Sequence, residues 1–169
     1  MNDTANRPAL AFCHANPRYA GCAVRFELNP AHDSAEGHIL LQMAAQKMPD
    51  PDAERPRLPL FDWERPLTVR LALLDICRMV QVLRGKVESI EDGKGIYHVS
   101  AAASTKIVMR HICEPVEAYS LEAYQAFRDG SGDTSAHIML TRAEALGLCL
   151  ALESAIGMIA FGCHAPTVG

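Results

Sequence analysis

The side chains in this chain with the clearest chemical use are cations interleaved with aromatic rings. A single nucleic-acid strand is held by bases stacking on aromatic side chains and by cations beside its phosphates, and stacking tolerates any base sequence. Arg18, Tyr19, Gly21 and Arg25 supply such a mix over a short stretch. Alternate residues of a β-strand point the same way, so Tyr19, Gly21 and Arg25 would line one strip. Lys47, Trp63, Arg65 and Arg70 extend it through the first half. In the second half Lys106, Arg110, Tyr124 and Arg128 offer a matching strip. Each residue also has a plainer reading. Arg18 and Arg25 are what any solvated surface carries, and Trp63 taken alone reads better as a core residue. Arg110, set in an apolar strand, reads better as the ion-pair partner of Glu114 or Glu122.

No catalytic residues are expected. The sequence has no GxSxG elbow, no phosphate loop, no HExxH and no dinucleotide fingerprint. Gly130-Ser131-Gly132 reads as a turn, and Asp92-Gly93-Lys94-Gly95 lacks the rest of a phosphate loop. His111 and Cys113 share a strand face, but a nucleophile and base also need a third group to orient the base, and none is evident. No metal or cofactor is expected either. The pairs Cys13-His14 and Cys163-His164 are adjacent residues, which point oppositely on a strand, and structural zinc spacings are missing. His98, His111 and His137 read as partly buried histidines. The cysteines at 13, 22, 77, 113, 149 and 163 are widely and irregularly spaced, as expected of reduced, mostly buried thiols.

The composition is that of a globular chain, 49% apolar and 21% charged, and its length fits one domain with a sizeable core. The net charge of -4 opposes a strongly basic nucleic-acid binder but leaves room for a local basic stripe. The N-terminus does not read as a signal peptide. The apolar stretch 143–161 is interrupted by Glu144, Glu153 and Ser154, so a buried helix is expected there rather than a membrane span.

The elements that must carry these residues follow from periodicity. Residues 1–17 read as a loose arm. From Tyr19 to Leu28 the apolar Cys22, Val24, Phe26 and Leu28 alternate with polar neighbours, a strand with one buried face. A second strand is expected over 37–47, an exposed Pro-rich loop over 48–59, and a short aromatic strand over 59–66. Leu67, Val69 and Leu71 alternate, and then Leu73, Ile76, Cys77, Val80 and Leu83 adopt helical spacing, with Gly85 placed to cap. The second half repeats the plan. Residues 86–92 and 95–104 read as a hairpin, 106–115 and 118–127 as two strands, and 136–140 as another. Thr141 and Glu144 form a capping box before a helix over about 142–161 that is apolar on almost every side and so must be buried all round. Its small residues, Gly147, Ala151, Ala155 and Gly157, admit close neighbours, which points to burial by a second subunit. Strand runs closed by a helix, twice over, predict an α+β fold with mostly antiparallel sheets.

This pattern resembles the Whirly family of single-stranded-DNA-binding proteins, whose fold is shared with kinetoplastid mitochondrial guide-RNA-binding proteins. Four segments carry the resemblance. Tyr19-Ala20-Gly21-Cys22-Ala23-Val24 stands where the family has Tyr-Lys-Gly-Lys-Ala-Ala. Residues 36–44, Glu-Gly-His-Ile-Leu-Leu-Gln-Met-Ala, are similar to Glu-Gly-Phe-Val-Leu-Leu-Gln-Phe-Ala. Phe61-Asp62-Trp63-Glu64-Arg65 is similar to Tyr-Asp-Trp-Ser-Arg. Thr141-Arg142-Ala143-Glu144 is similar to Thr-Lys-Ala-Glu before a C-terminal helix. The resemblance covers residues 18–162, leaving 1–17 as the arm and 163–169 as a tail. It implies a β4-α-β4-α pseudo-repeat with two antiparallel four-stranded sheets, a homotetramer, and single-stranded DNA (ahead of RNA) bound along the sheets. From the missing motifs and the interrupted apolar stretch, no enzyme activity and no membrane partner are expected. The plant members carry organelle-targeting segments that are not seen here, so a prokaryotic cytoplasm, with the nucleoid as one setting, is expected. One departure stands out: the two lysines of the first motif are replaced by Ala20 and Cys22. Affinity should then fall or pass to other residues, because phosphate neutralisation drives such binding.

Overall fold

The computed structural model describes residues 8–32, 35–48 and 59–162. The Pro-rich loop expected over 48–59 lies outside them except for Met48 and Pro59, as do the first residues of the arm and the tail 163–169. The chain order is β1 (Ala9–His14), β2 (Cys22–Asn29), β3 (His38–Ala45), β4 (Leu67–Leu71) and α1 (Leu73–Leu83), then β5 (Ile96–Val99), β6 (Ala103–Ile112), β7 (Ala118–Phe127), β8 (Asp133–Thr141) and α2 (Arg142–Phe161). The strands make two antiparallel four-stranded sheets, β1-β2-β3-β4 and β5-β6-β7-β8. This is the predicted α+β plan.

Alternation explains how each sheet faces the core. Val24 and Phe26 on β2, Leu41 and Met43 on β3, and Leu67, Val69 and Leu71 on β4 are buried. In the second sheet Ile107, Met109, Leu121, Ile138 and Leu140 are buried likewise. They join Ile76, Met79 and Val82 of α1 and Leu148 and Leu152 of α2 in one continuous cluster. The outer faces, with Arg25, Gln42 and Thr68 in one cross-strand row, are left for other work.

Three sequence-based expectations fail here. Residues 9–14, placed in the arm, form β1, which pairs with β2 from Ala9↔Glu27 to His14↔Cys22. The aromatic strand over 59–66 does not form: Phe61 makes only an isolated bridge to Gln46, and 62–65 turn, with the Arg65 N–H on the Asp62 carbonyl at 3.3 Å. The first sheet therefore takes its fourth strand from upstream. The hairpin expected to start at Lys86 is also absent. That segment holds a 3-10 turn at Ile90–Gly93 with left-handed Glu91 and Asp92, and only Ser89 bridges to Arg110. The hairpin partner of β5 is β6.

The helices end and begin as their residues dictate. After α1, Gly85 sits at φ +64, its N–H bonds to the Val82 carbonyl at 2.9 Å, and Lys86 N–H bonds to the Gln81 carbonyl at 2.9 Å, a complete Schellman cap. The core face of α1 is Ile76, Met79, Val82 and Leu83, rotated slightly from the expected set; Cys77 and Val80 are half-buried. At the start of α2 the Thr141 hydroxyl accepts from the Glu144 N–H at 3.3 Å, and the Glu144 carboxylate accepts from the Thr141 N–H at 2.8 Å. His14 Nε2 lies 2.8 Å from the other Glu144 oxygen, tying β1 to this cap. Burial alone would raise the Glu144 pKa, but the contacts with His14 and Thr141 outweigh it and hold the carboxyl below its ordinary 4.5. Its contribution to stability is therefore present above the unfolded-state value and lost as pH falls through the lower folded-state value. Thr141→Ala should cost about 1 kcal/mol, lowering the melting temperature by about 2–4 °C in a chain of this size. A thermal melt by circular dichroism checks it.

Within the protomer α2 is buried on one side only. Ala145, Leu148, Cys149, Leu152, Ala155 and Ile159 are buried, whereas Leu146, Leu150 and Phe161 are 59%, 52% and 80% exposed. By length and apolarity alone α2 could cross a membrane. In the fold its buried face packs on β1, β7, β8 and α1, and Glu153 takes a two-pronged ion pair from Arg84 at 2.7 and 2.6 Å.

Candidate nucleic-acid interface

The outer face of the first sheet gathers most of the residues singled out in the first half. Arg25 stands on β2 with its Nε donating to Gln42 Oε1 at 2.9 Å, and its guanidinium lies 4.9 Å from the centre of the Trp63 ring. Trp63 is half-buried under that cation and is not part of the core cluster, against its plainer reading. The turn that carries Trp63 is pinned by Asp62, whose N–H bonds to the Ala45 carbonyl at 2.9 Å and whose carboxylate takes Lys47 at 3.3 Å and Arg65 at 3.4 Å. Burial would push the Asp62 pKa up; Lys47 and Arg65 overcome it and hold the carboxyl below the usual range. Lys47 also lies 3.6 Å from Glu64. Arg25, Lys47, Trp63 and Arg65 thus form one patch, but two of its cations are already partnered by acids. Arg70 is exposed on the outer face of β4, two residues along from the row that holds Arg25, and reaches the Glu36 carbonyl at 3.4 Å.

Tyr19 and Gly21 are not on the strand where alternation put them. β2 begins at Cys22, and 15–21 is the hairpin loop. Asn16 organises it: its side-chain oxygen accepts from the N–H groups of Arg18 at 3.0 Å and Ala20 at 3.1 Å, and Tyr19 is left-handed at φ 55. A Cβ on Gly21 would stand 2.2 Å from the His14 carbonyl oxygen, so Gly21 allows the hairpin to close and is not a contact surface. Tyr19 and Arg25 consequently do not share a strip. Tyr19 instead turns to the other sheet: with Ala20 and Gly21 it lines a cleft of about 300 Å³ whose far wall is Tyr124, Ser135 and His137 of β7 and β8.

That cleft leads to the second-half strip, where Lys106 and Tyr124 were expected and Tyr97 was missed from the sequence. Tyr97 on β5 is paired with Lys106 on β6, Lys106 with Tyr124 on β7, and Tyr124 with Ser135 on β8. They form one row across the second sheet. Tyr97 is 62% and Tyr124 46% exposed, and the Lys106 ammonium lies 5.4 Å from the Tyr97 ring centre. Two flat rings flanking a cation on an open sheet face suit base stacking with phosphate neutralisation. A cleft of about 370 Å³ lies over this row. The signal available in the sequence was an aromatic at an outward position of GIYHV, but only the register reveals that Tyr97, Lys106 and Tyr124 are neighbours. Arg110, four residues further along β6, pairs with Glu122 at 3.2 Å, which is its plainer reading. Glu122 also accepts from the Tyr124 hydroxyl at 2.6 Å, and that bond, then those from Ser120 and Arg110, hold its carboxyl below the usual range against its burial. The same bond fixes the tilt of the Tyr124 ring. Arg18 and Arg128 are exposed. Among the described residues no group of three or more His, Cys, Asp or Glu side chains is arranged to hold a metal.

Two sheets of this order, each closed by a helix, with aromatic and cationic residues on the outer faces, define a Whirly-like fold. The comparison with solved structures is specific on this point. The chain is similar to WHY1 from Arabidopsis thaliana at a TM-score of 0.69 and 17% identity, covering 93% of this chain and 88% of that one. It is similar to MRP1/MRP2 from Trypanosoma bruciei at a TM-score of 0.62 and 18% identity, over 90% and 85% of the two chains. A guide-RNA-binding protein complex solved with its guide RNA matches at a TM-score of 0.60 and 16% identity, over 92% and 93%. No family model matches the sequence, and no curated protein matches it. At these identities the likeness is one of fold.

Proposed function

We propose that this protein binds single-stranded nucleic acid, DNA ahead of RNA, without sequence preference, across the outer faces of its two sheets. The observation that carries this reading is the row Tyr97–Lys106–Tyr124, continued by Tyr124 into the cleft shared with Tyr19. It supplies what an unpaired strand needs, stacking faces with a cation between them, on a fold that a guide-RNA-binding complex also uses. Arg25 over Trp63 offers a second such place on the first sheet. The reading assigns no catalytic role.

The protein acts as a homo-oligomer, a tetramer, in this reading. The exposed side of α2 carries Leu146, Leu150 and Phe161 on the same face as Gly147 and Gly157. A Cβ on either glycine would meet nothing within the protomer, although glycine inside a helix costs about 1 kcal/mol relative to alanine. A second copy packed closely on that face accounts for both the exposed leucines and the glycines.

A competing reading has its own observation. Ala20 and Cys22 replace lysines of the resembled motif, and Lys47, Arg65 and Arg110 are paired with carboxylates. On that reading the chain is a structural oligomer that has kept the fold without the binding. Fluorescence anisotropy with a labelled oligonucleotide separates the two. Binding should favour single strand over duplex at about 20 mM salt and weaken as salt rises. With about three phosphates met by Arg18, Arg25 and Lys106, log K should fall against log salt with a slope of about −2. No binding at about 20 mM salt would favour the structural reading. DNA and RNA oligonucleotides of one sequence rank the two strand types.

A further inference from the structure

The hairpin between β6 and β7 brings together three residues that the proposed binding does not use. Cys113 Sγ lies 4.0 Å from His111 Nδ1, and His111 Nε2 lies 3.1 Å from Glu117 Oε1. The third group whose absence ruled out a Cys–His pair is therefore present, folded back by the tight loop that joins Ile112 to Ala118. Each further contact fixes the arrangement. The His111 ring stacks on Tyr119, its cross-strand partner, with centres 4.5 Å apart and planes within 10°. The other Glu117 oxygen is 3.5 Å from Arg142 at the first turn of α2. Glu117 selects the imidazole tautomer with the proton on Nε2, which leaves the Nδ1 lone pair toward the thiol.

Exposure singles out the same cysteine. Of the described cysteines, Cys22 and Cys149 are buried, and burial pushes the Cys22 thiol up to about 11 and raises that of Cys149. Cys77 is half-buried. Cys13 and Cys113 are exposed, but the histidine next to Cys13 is turned to Glu144 at 2.8 Å.

We propose that Cys113 is a reactive thiol, set by His111 and Glu117, whose reaction partners are small disulfides. The thiol proton passes to His111 Nδ1. The thiolate attacks one sulfur of the disulfide, the Cys113–sulfur bond forms as the reagent's S–S bond breaks, and the other half leaves as a thiolate that takes a proton. Sulfur is exchanged with no further oxidant. Because His111 is on the core-facing side of β6, whereas Lys106 and Arg110 are on the outer side, this site is separate from the binding row and does not depend on it.

The probe is bis(2-hydroxyethyl) disulfide, uncharged and non-titrating, on the full chain, with adducts located by peptide mass mapping between pH 5 and 9. Cys113 should react at least about tenfold faster than Cys13 at pH 7. His111→Phe, which keeps a ring on Tyr119, and Glu117→Gln should slow Cys113 toward the Cys13 rate and leave Cys13 unchanged. The proposal is overturned if Cys113 reacts no faster than Cys13, or if both variants keep its rate and pH profile. Should His111→Phe fail to fold by circular dichroism, Glu117→Gln decides: an unchanged Cys113 rate in that variant overturns the proposal.

Discussion

Replacing Tyr97 and Tyr124 together by alanine is expected to weaken single-strand binding at least about thirtyfold while leaving the fold unchanged. The magnitude follows from stacking, worth about 1–3 kcal/mol per base, so two lost platforms amount to about 2 kcal/mol at the low end. The fold survives because both rings are largely exposed on the outer face of the second sheet. Tyr124→Phe is the informative companion. It keeps the stacking face and removes only the hydroxyl that donates to Glu122 at 2.6 Å, so binding should remain within about threefold of the parent. Anisotropy titrations at low salt, with circular dichroism melts beside them, give both numbers. An unchanged Kd in the double variant would show that the second sheet does not carry the strand, and would shift the reading to Arg25 and Trp63 on the first sheet.

The second large effect is on assembly. Leu146→Glu with Leu150→Glu is expected to convert the protein to a monomer of about 18 kDa, read by light scattering at micromolar concentration. Both side chains point away from the core and are more than half exposed in the protomer, so charges there meet water in the monomer and would be buried unpaired in the assembly. The melting transition of the monomer should remain cooperative, since Leu148 and Leu152 on the opposite face still fill the core. A parent protein that already scatters as a monomer would refute the oligomer.

The two tests also divide the molecule into what is legible in one dimension and what is not. Alternation over Cys22, Val24, Phe26 and Leu28, the change of period after Leu71, the glycine at 85 and the box of Thr141 with Glu144 are local signals. Each is written by the steric and hydrogen-bonding needs of a few neighbouring residues, and each appears in the structure where it was expected. Residues 9–14 and 59–66 carry weaker local patterns, and there the choice of which segment becomes the edge strand was made by pairing with β2, an interaction across the sheet. The Trp63 ring likewise has no sequence neighbour that predicts it will lie beneath Arg25.

Sequence alone determined the repeated strand-and-helix plan, the apolar identity of the core and the kinds of residue available for binding. Tertiary structure decided their company. Register put Tyr97, Lys106 and Tyr124 in one row, the hairpin loop turned Tyr19 toward the second sheet, carboxylates took up Lys47, Arg65 and Arg110, and Glu117 came back to His111. Strand periodicity tells which face a residue is on, but only the hydrogen-bonded register between strands distant in sequence tells which residues stand beside it.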